Sequence, residues 1–493
     1  MIRYVSVLSC VALLFFCLPA PAAWPPWPPA IRLTDGPNEN VNSGVSVPVQ
    51  SNDRDTMILV WQRSRPGGWD IYSRRNGNGA TWTPPQLVSS LPDSNLAPAI
   101  AAYNRYRYCV WVNCHGDSQN ILCSRWTNGA WASPVYLTQD TFLNAEPTVW
   151  CAAVHNDSAA VVWASLRNGL WNLYSRFFNG TAWSPVIPVV TDSGNNRRPC
   201  IDKKEYRQFR LGWQSDAGGE WSLLLSRFIG GAWTPPQAVT RKGSAELSPS
   251  FVKGIYYGKD FVELLWSGDS LGNYEILGTS PDSTPFPLPE RITNHDSSDR
   301  EPTALQHPLY SSRSSLWLPM LIAWTSQRDG NANIYALLGS QEDVVDTSHA
   351  IDQHPCVTTI CPYDYFYEWV IWESNRDGNR NLYGSYQLVS SGGVESGNPG
   401  IGPKGETKMI ISSPFHPPGR MTLFYPGPRS DISFKFYDLQ GRVVGLCTAE
   451  KKSPGQYELT WDGKNQQGYA LPSGLYFLKA EGSSALFRIV LLR

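Results

Sequence analysis

The chain is 493 residues long and carries 41 basic against 42 acidic residues, a formal net charge of −1, with no long run of either sign. That balance argues against a nucleic-acid partner, which normally meets a basic face. Ten cysteines without a Cys-x-x-Cys pair and seven scattered histidines lead us to expect no metal and no cofactor, while 21 Trp, 39 Pro and 41 Gly indicate many short strands joined by tight turns.

Residues 1–22 read as a secretory signal: a single Arg3, an apolar run from Val5 to Leu18, and the small-residue stretch Ala20-Pro21-Ala22 before the cleavage point. The run falls short of the ~20 residues a membrane-spanning helix needs, and no later stretch qualifies. The expected location is therefore outside the cell or on its outer surface, with the periplasm as the alternative. Cys10 precedes most of the apolar run, the wrong order for a lipoprotein signal. Of the eight remaining cysteines, Cys114 with Cys123 and Cys356 with Cys361 are the local candidates for disulfides, and buried free thiols are the alternative.

Self-comparison sets the architecture. Seven apolar segments each centre on a tryptophan, at Trp61, Trp111, Trp163, Trp213, Trp266, Trp324 and Trp372, with spacings between 48 and 58 residues. A period of that size signals a propeller or solenoid. Each Trp strand is followed by a Gly-containing turn, a strand such as Asn172-Leu173-Tyr174, a second Gly turn often carrying a Trp, and a last short strand. From the second repeat on, a Pro leads the first strand, at Pro98, Pro147, Pro199, Pro249, Pro302 and Pro355; the first residue of a strand is one place where Pro is tolerated. Four strands per repeat make one propeller blade. The seventh repeat lacks its last strand, and the segment Ala30-Ile31-Arg32-Leu33-Thr34 matches that missing pattern, so the N-terminus is expected to complete the last blade and close the ring.

The turns Thr325-Ser326-Gln327-Arg328-Asp329-Gly330-Asn331 and Glu373-Ser374-Asn375-Arg376-Asp377-Gly378-Asn379 resemble the WD40-like repeat of TolB-type propellers. Gly79-Ala80-Thr81-Trp82 is similar to the turn of sialidase-like propellers, without its Asp. Both resemblances imply a propeller and neither carries an activity. From Lys408 on, Tyr437-Asp438-Leu439-Gln440-Gly441-Arg442, Trp461-Asp462-Gly463 and Ser473-Gly474-Leu475-Tyr476 resemble the FlgD-type Ig-like domain and the C-terminal sorting domain of type IX secretion cargo, with Ser413-Pro414-Phe415 where Asn-Pro-Phe often stands. That likeness implies contact with an export machinery. The expected fold is all-β: a seven-bladed β-propeller over 23–393, a linker at 394–407, and a small Ig-like β-sandwich over 408–493.

Binding groups are sought on the face formed by the loops that lead into each first strand. The residue before each leading Pro is Ala97, Glu146, Arg198, Ser248, Glu301 or His354, with Arg197, Arg300 and Asp352 beside them. Glu146, Arg198, Arg300, Glu301 and His354 are the candidate ligand contacts, for an extracellular carbohydrate, peptide or protein. The alternative is that these side chains bond strand-start amides between blades. A glycosidase would need two carboxylates flanking the bond, and Glu146 with Glu301 is the available pair. Most tryptophans are expected in the core, and Trp69, Trp171 and Trp221 at the turns are the ones with a chance of meeting ligand. The expected function is a non-enzymatic binding module. The alternative is a carbohydrate-active hydrolase or lyase.

Overall fold

The computed structural model describes residues 26–491 apart from 47–55, 78–80, 90, 104–105, 128, 153–157, 206–207, 241–244, 258–259, 270–271, 281–285, 305–320, 339–340, 361–364, 391–407, 411–418, 425–430, 439–441, 454–455, 466 and 481–485. The leader at 1–22, the linker at 394–407, Ser413-Pro414-Phe415 and Cys361 lie outside the described residues. Every regular element described is a strand, and no helix is long and apolar enough to cross a membrane among the described residues. The chain divides into two compact units, Met1–Val394 and Glu395–Arg493.

In the first unit the repeat becomes a succession of antiparallel strand sets. The second set illustrates the plan: Ser94–Tyr103 pairs with Tyr106–His115, which pairs with Ser118–Thr127, on which Ala130–Trp131 and Val135–Tyr136 both lie. The Trp strands are apolar along nearly their whole length because both of their faces are covered. All seven central tryptophans, from Trp61 to Trp372, have zero exposure. Asn168 and Gly169, with φ of 53° and 79°, make the primed hairpin turn their sequence calls for.

Hydrophobic clusters lie between successive sets. Val60, Ile71 and Val88 of the first set pack with Cys109, Trp111 and Leu122 of the second. Leu33, Met57, Leu59 and Trp61 pack in the same manner with Ile360, Trp369, Ile371 and Leu382 of the last.

That last contact depends on the N-terminus. Ile31–Arg32 forms the fourth strand of the last sheet, beside Asn381–Ser390, with Ile31 opposite Gly384 and Arg32 opposite Tyr383. Leu33 N–H then donates to Leu382 O at 2.8 Å and Thr34 Oγ1 accepts from Leu382 N–H at 3.0 Å. Leu137 and Thr138 make the same two bonds to Ile121 inside the second set, and Ile292 and Thr293 make them to Ile276 inside the fifth. The N-terminal strand therefore occupies the place of a fourth strand, as its sequence predicts. Gly384 permits the approach: a Cβ there would lie 3.0 Å from Leu33 Cδ1 and 3.1 Å from Trp369.

Two expectations are corrected. The leading prolines do not begin their strands, since Pro98 is interior to Ser94–Tyr103 and Pro199 to Asn196–Glu205. Each sits just after the start of a β-bulge, where one residue drops out of the ladder and a missing N–H costs nothing. Cys114 and Cys123 are free thiols. Cys114 faces Gln119 while Cys123 faces Val110, four rungs away and ~13 Å along the hairpin, too far for a bridge.

The second unit is one antiparallel sheet in the order Lys408–Ile410, Gly419–Phe424, Gln456–Trp461, Val443–Ser453, Asp431–Tyr437, Gly474–Ala480, Leu486–Leu491. Its core joins Phe434, Phe436, Leu459, Trp461, Tyr476, Leu478 and Ile489, with Trp461 stacked on Phe436 at 3.9 Å between ring centres. Tyr476 keeps its polar end satisfied by donating its hydroxyl to Pro472 O at 2.9 Å.

Candidate functional site

The bulge recurs at one place in every set. Register shifts fall between Val41 and Gly44, Leu96 and Ala99, Ala145 and Thr148, Arg197 and Cys200, Leu247 and Ser250, Arg300 and Thr303, and Gln353 and Cys356. The first bulged residue is left-handed each time: Asn42, Ala97, Glu146, Arg198, Ser248, Glu301 and His354 have φ between 49° and 57°. Left-handed backbone is costly for residues other than Gly, so the same outlier at seven equivalent positions marks a conformation held by its surroundings. The candidate residues Glu146, Arg198, Glu301 and His354 are thus four members of one structural class.

What holds the bulges is the preceding set. Ala97 N–H donates to Gln62 Oε1 at 2.8 Å, Ser248 N–H to Gln214 Oε1 at 3.0 Å, and Glu301 N–H to Ser267 Oγ at 3.0 Å. Asn42 N–H donates to Glu373 Oε1 at 2.7 Å, tying the first set to the last. The acceptors Gln62, Gln214, Ser267 and Glu373 each follow the central Trp of their set. In two places a bulge residue itself is the acceptor: Arg198 N–H donates to Glu146 Oε2 at 2.8 Å and His354 N–H to Glu301 Oε2 at 3.3 Å. Bonding of strand-start amides between sets, one of the two roles expected for these side chains, is present for Glu146 and Glu301.

Both carboxylates are further engaged. Glu146 receives a two-pronged contact from Arg197, at 2.8 and 3.0 Å, and the Arg197 guanidinium lies 4.1 Å over the Trp171 ring. Glu301 lies 3.3 Å from His354 Nε2, and His354 Nδ1 lies 3.7 Å from Glu373. Hydrogen bonding to Glu301 and then to Glu373, working against partial burial, pushes the His354 imidazole up to about 10. Burial alone would raise the Glu301 carboxyl, but bonding to His354 and the charges of His354 and Arg198 hold it below the ordinary value.

The remaining candidates part company. Arg198 is exposed and forms no close ion pair among the described residues, although its charge acts on the Glu301 carboxylate. Arg300, also exposed, lies flat on Tyr274 at 3.7 Å. Asp352, expected near the loop surface, has zero exposure; Arg376 and the Ser348 hydroxyl hold it. Of the turn tryptophans, Trp171 is half-buried beneath Arg197, and the carbonyls of Trp69 and Trp221 accept bonds from Asn95 and Glu246. Asn42 was not foreseen because Ser43 follows it where the other bulges have Pro.

Beneath the bulges lies a second repeated layer. The indole N–H of Trp61 donates to Asn40, of Trp111 to Asn95, of Trp163 to Asn144 and of Trp213 to Asn196, at 2.8–3.1 Å. In the last three sets Glu246, Asp299 and Asp352 stand in that place, and the indole N–H groups of Trp266, Trp324 and Trp372 have no acceptor among the described residues. The turn motif shared by the last two sets serves this layer. Arg328 reaches Asp299 at 2.8 Å and Ser326 at 2.9 Å while lying 4.2 Å over Tyr335, whose hydroxyl donates to Asp329. Arg376 repeats the arrangement on Asp352, Ser374 and Tyr383. The Arg-Asp-Gly-Asn turns are structural clamps.

Residues 418–485 match the family described as the FlgD Ig-like domain. A search of curated proteins finds no match. Solved structures similar to the chain include the Hadza microbial sialidase Hz136, 14% identical, covering 71% of this chain and 66% of that one at a TM-score of 0.40. A fungal alcohol oxidase of the AA5 family, in complex with copper, is 10% identical, covering 94% and 99% at a TM-score of 0.44. An ulvan lyase of polysaccharide lyase family PL25 is 12% identical, covering 61% and 80% at 0.37. Likeness this distant assigns this chain neither an activity nor a detail of its site.

Proposed function

We propose that the first unit is a seven-bladed β-propeller, closed by the strand at Ile31–Arg32, and that it serves outside the cell as a non-catalytic binding module for a carbohydrate, peptide or protein bearing an anionic group. The leader at 1–22 and the C-terminal unit would direct its export or attachment. The observation that carries the binding role is the set of seven left-handed bulges, which offers one variable side chain per repeat on a rigid frame. Within that set Arg198 is an exposed guanidinium in no close ion pair among the described residues, felt by Glu301 only through its charge, and a guanidinium is the group suited to a carboxylate, sulfate or phosphate.

The same residues weigh against hydrolysis. A glycosidase keeps one carboxyl protonated as the acid. Glu146 is clamped by Arg197, and Glu301 is held below its ordinary range by His354 and Arg198. Burial pushes up Asp299, Asp352 and Glu368, the last to about 8, but all three have zero exposure.

The test is binding of the purified full chain to immobilised acidic and neutral glycans and peptides, with turnover followed in parallel. Retention on acidic ligands that Arg198→Gln weakens about ten-fold or more supports the proposal, a loss of the size expected of one charge-assisted contact. Release of new reducing ends or unsaturated sugars, abolished by Glu301→Gln, would overturn the non-catalytic reading. Export with and without residues from Lys408 on tests the tail.

A further inference from the structure

We propose that Asn179 is a site of spontaneous covalent modification, at which the side-chain amide is lost through cyclisation onto the Gly180 nitrogen. Asn179 and Gly180 form the exposed tip of the hairpin that follows Leu170–Phe178 in the third set. Two features of that tip favour the chemistry. Gly180 is left-handed, with φ of 96°, and has no Cβ to shield its backbone nitrogen from the carbonyl carbon of the preceding side chain. The Asn179 Oδ1 accepts two backbone N–H groups, from Thr181 at 3.0 Å and Ala182 at 2.9 Å.

Those two donors point at the atom on which negative charge develops. The deprotonated Gly180 nitrogen attacks Asn179 Cγ, and the carbonyl electrons move onto Oδ1, where the Thr181 and Ala182 amides stabilise them. This is the logic by which paired backbone donors lower the barrier of acyl transfer. Collapse of that intermediate breaks the Cγ–Nδ2 bond and, with a proton, releases ammonia, leaving a five-membered imide. Water then opens either imide carbonyl, so the net change is one water consumed, one ammonia released, and an aspartate or isoaspartate at this position. No enzyme, metal or redox partner is required.

The fold supplies its own control. Asn168-Gly169 is a second Asn-Gly in the same set, at least as exposed as Asn179-Gly180 and also with left-handed backbone, but no amide is bonded to its side chain among the described residues. Asn76-Gly77 has its Asn fully buried. If sequence alone governed the reaction, Asn168 and Asn179 would react alike; if the paired donors govern it, Asn179 leads.

The consequence is local. Phe178 and Trp183 flank the tip with ring centres 5.3 Å apart, and Phe178 lies 6.1 Å from Tyr108 of the second set. An isoaspartate adds a methylene to the backbone between them and loosens that contact. A plain aspartate keeps both accepted bonds and adds a charge.

The experiment is peptide mapping by mass spectrometry of the folded full chain incubated in mildly alkaline buffer, with a denatured sample alongside. The expected result is that the Asn179 peptide gains about one dalton and splits into two isomers about ten-fold faster than the Asn168 peptide, a lead that vanishes on unfolding. Gly180→Ala should slow the change; because Gly180 is left-handed the substitution also strains the tip, so the melting temperature is followed alongside and is expected to fall by no more than a few degrees. Equal rates at Asn168 and Asn179 in the folded chain, or a protected Asn179 whose rate rises on unfolding, would overturn the proposal.

Discussion

His354 shows how much one side chain does at the joint between the last sets and the first. It lies between Glu301 of the sixth set and Glu373 of the seventh, and Glu373 in turn accepts the Asn42 amide of the first. The imidazole's ordinary value is 6.5 and the folded value about 10. A folded value above the unfolded one means the stabilisation is complete below about 6.5 and is lost as the pH climbs through about 10. The expected outcome is that the melting temperature of the wild type falls across that window while His354→Gln, already lower at neutral pH, falls less. Parallel pH curves for the two proteins would show that the charge contributes nothing. The side chain is nearly half exposed, so the effect is modest. At this scale the sequence singled out the residues that precede a Pro as one recurring position, but it read the Pro as a strand's first residue, and the bulge emerges only from the pairing register. It did not disclose Asn42, nor the acceptors Gln62, Gln214 and Glu373, whose role depends on the neighbouring set.

Among the strand sets the informative contrast is between Asn and carboxylate at the start of the first strand. In four sets an Asn accepts the indole N–H; in the sixth, Asp299 is fully buried and is drawn to Arg328 instead. Removing one partner of such a pair strands the other, so Arg328→Met should cost about 3–5 kcal/mol in a denaturant titration. Adding Asp299→Asn should recover most of that loss, since a neutral amide can take the bond that Asn196 makes to Trp213. If the double variant is no more stable than the single one, the two wirings are not interchangeable. The Arg-Asp-Gly-Asn turns were legible as a repeat signature from sequence, but their role as clamps on a buried carboxylate was not, because Asp299 and Asp352 lie far upstream of the arginines that hold them.

Across the whole first unit, the seven tryptophan strands and the pairing of residues 31–34 with the last sheet followed from the repeat pattern, because buried aromatic strands must recur wherever set packs on set. Leu33 is the test of that joint. It has zero exposure, and Leu33→Asp buries a charge among Trp61, Trp369 and Leu382 at a cost of ~3 kcal/mol or more. Hydrogen exchange should quicken in Met57–Arg65 and Asn381–Ser390 while Gln208–Ser215 keeps its protection. Uniform quickening would mean that the sets unfold as one body. The candidate disulfide between Cys114 and Cys123 gave way to the alternative of free thiols for a reason of register that cysteine spacing does not carry.

The strand at Ile31–Arg32 also sets a clock. Thr34, which follows it, bonds to Leu382, 348 residues downstream, so a chain that emerges N-terminus first holds this segment unmatched for most of its synthesis. The earlier strand sets are each built from local hairpins and can assemble as their residues appear. The last set can take up its fourth strand only when Asn381–Ser390 has emerged, so we expect that pairing to form late and the interval before it to be the most exposed to misassembly.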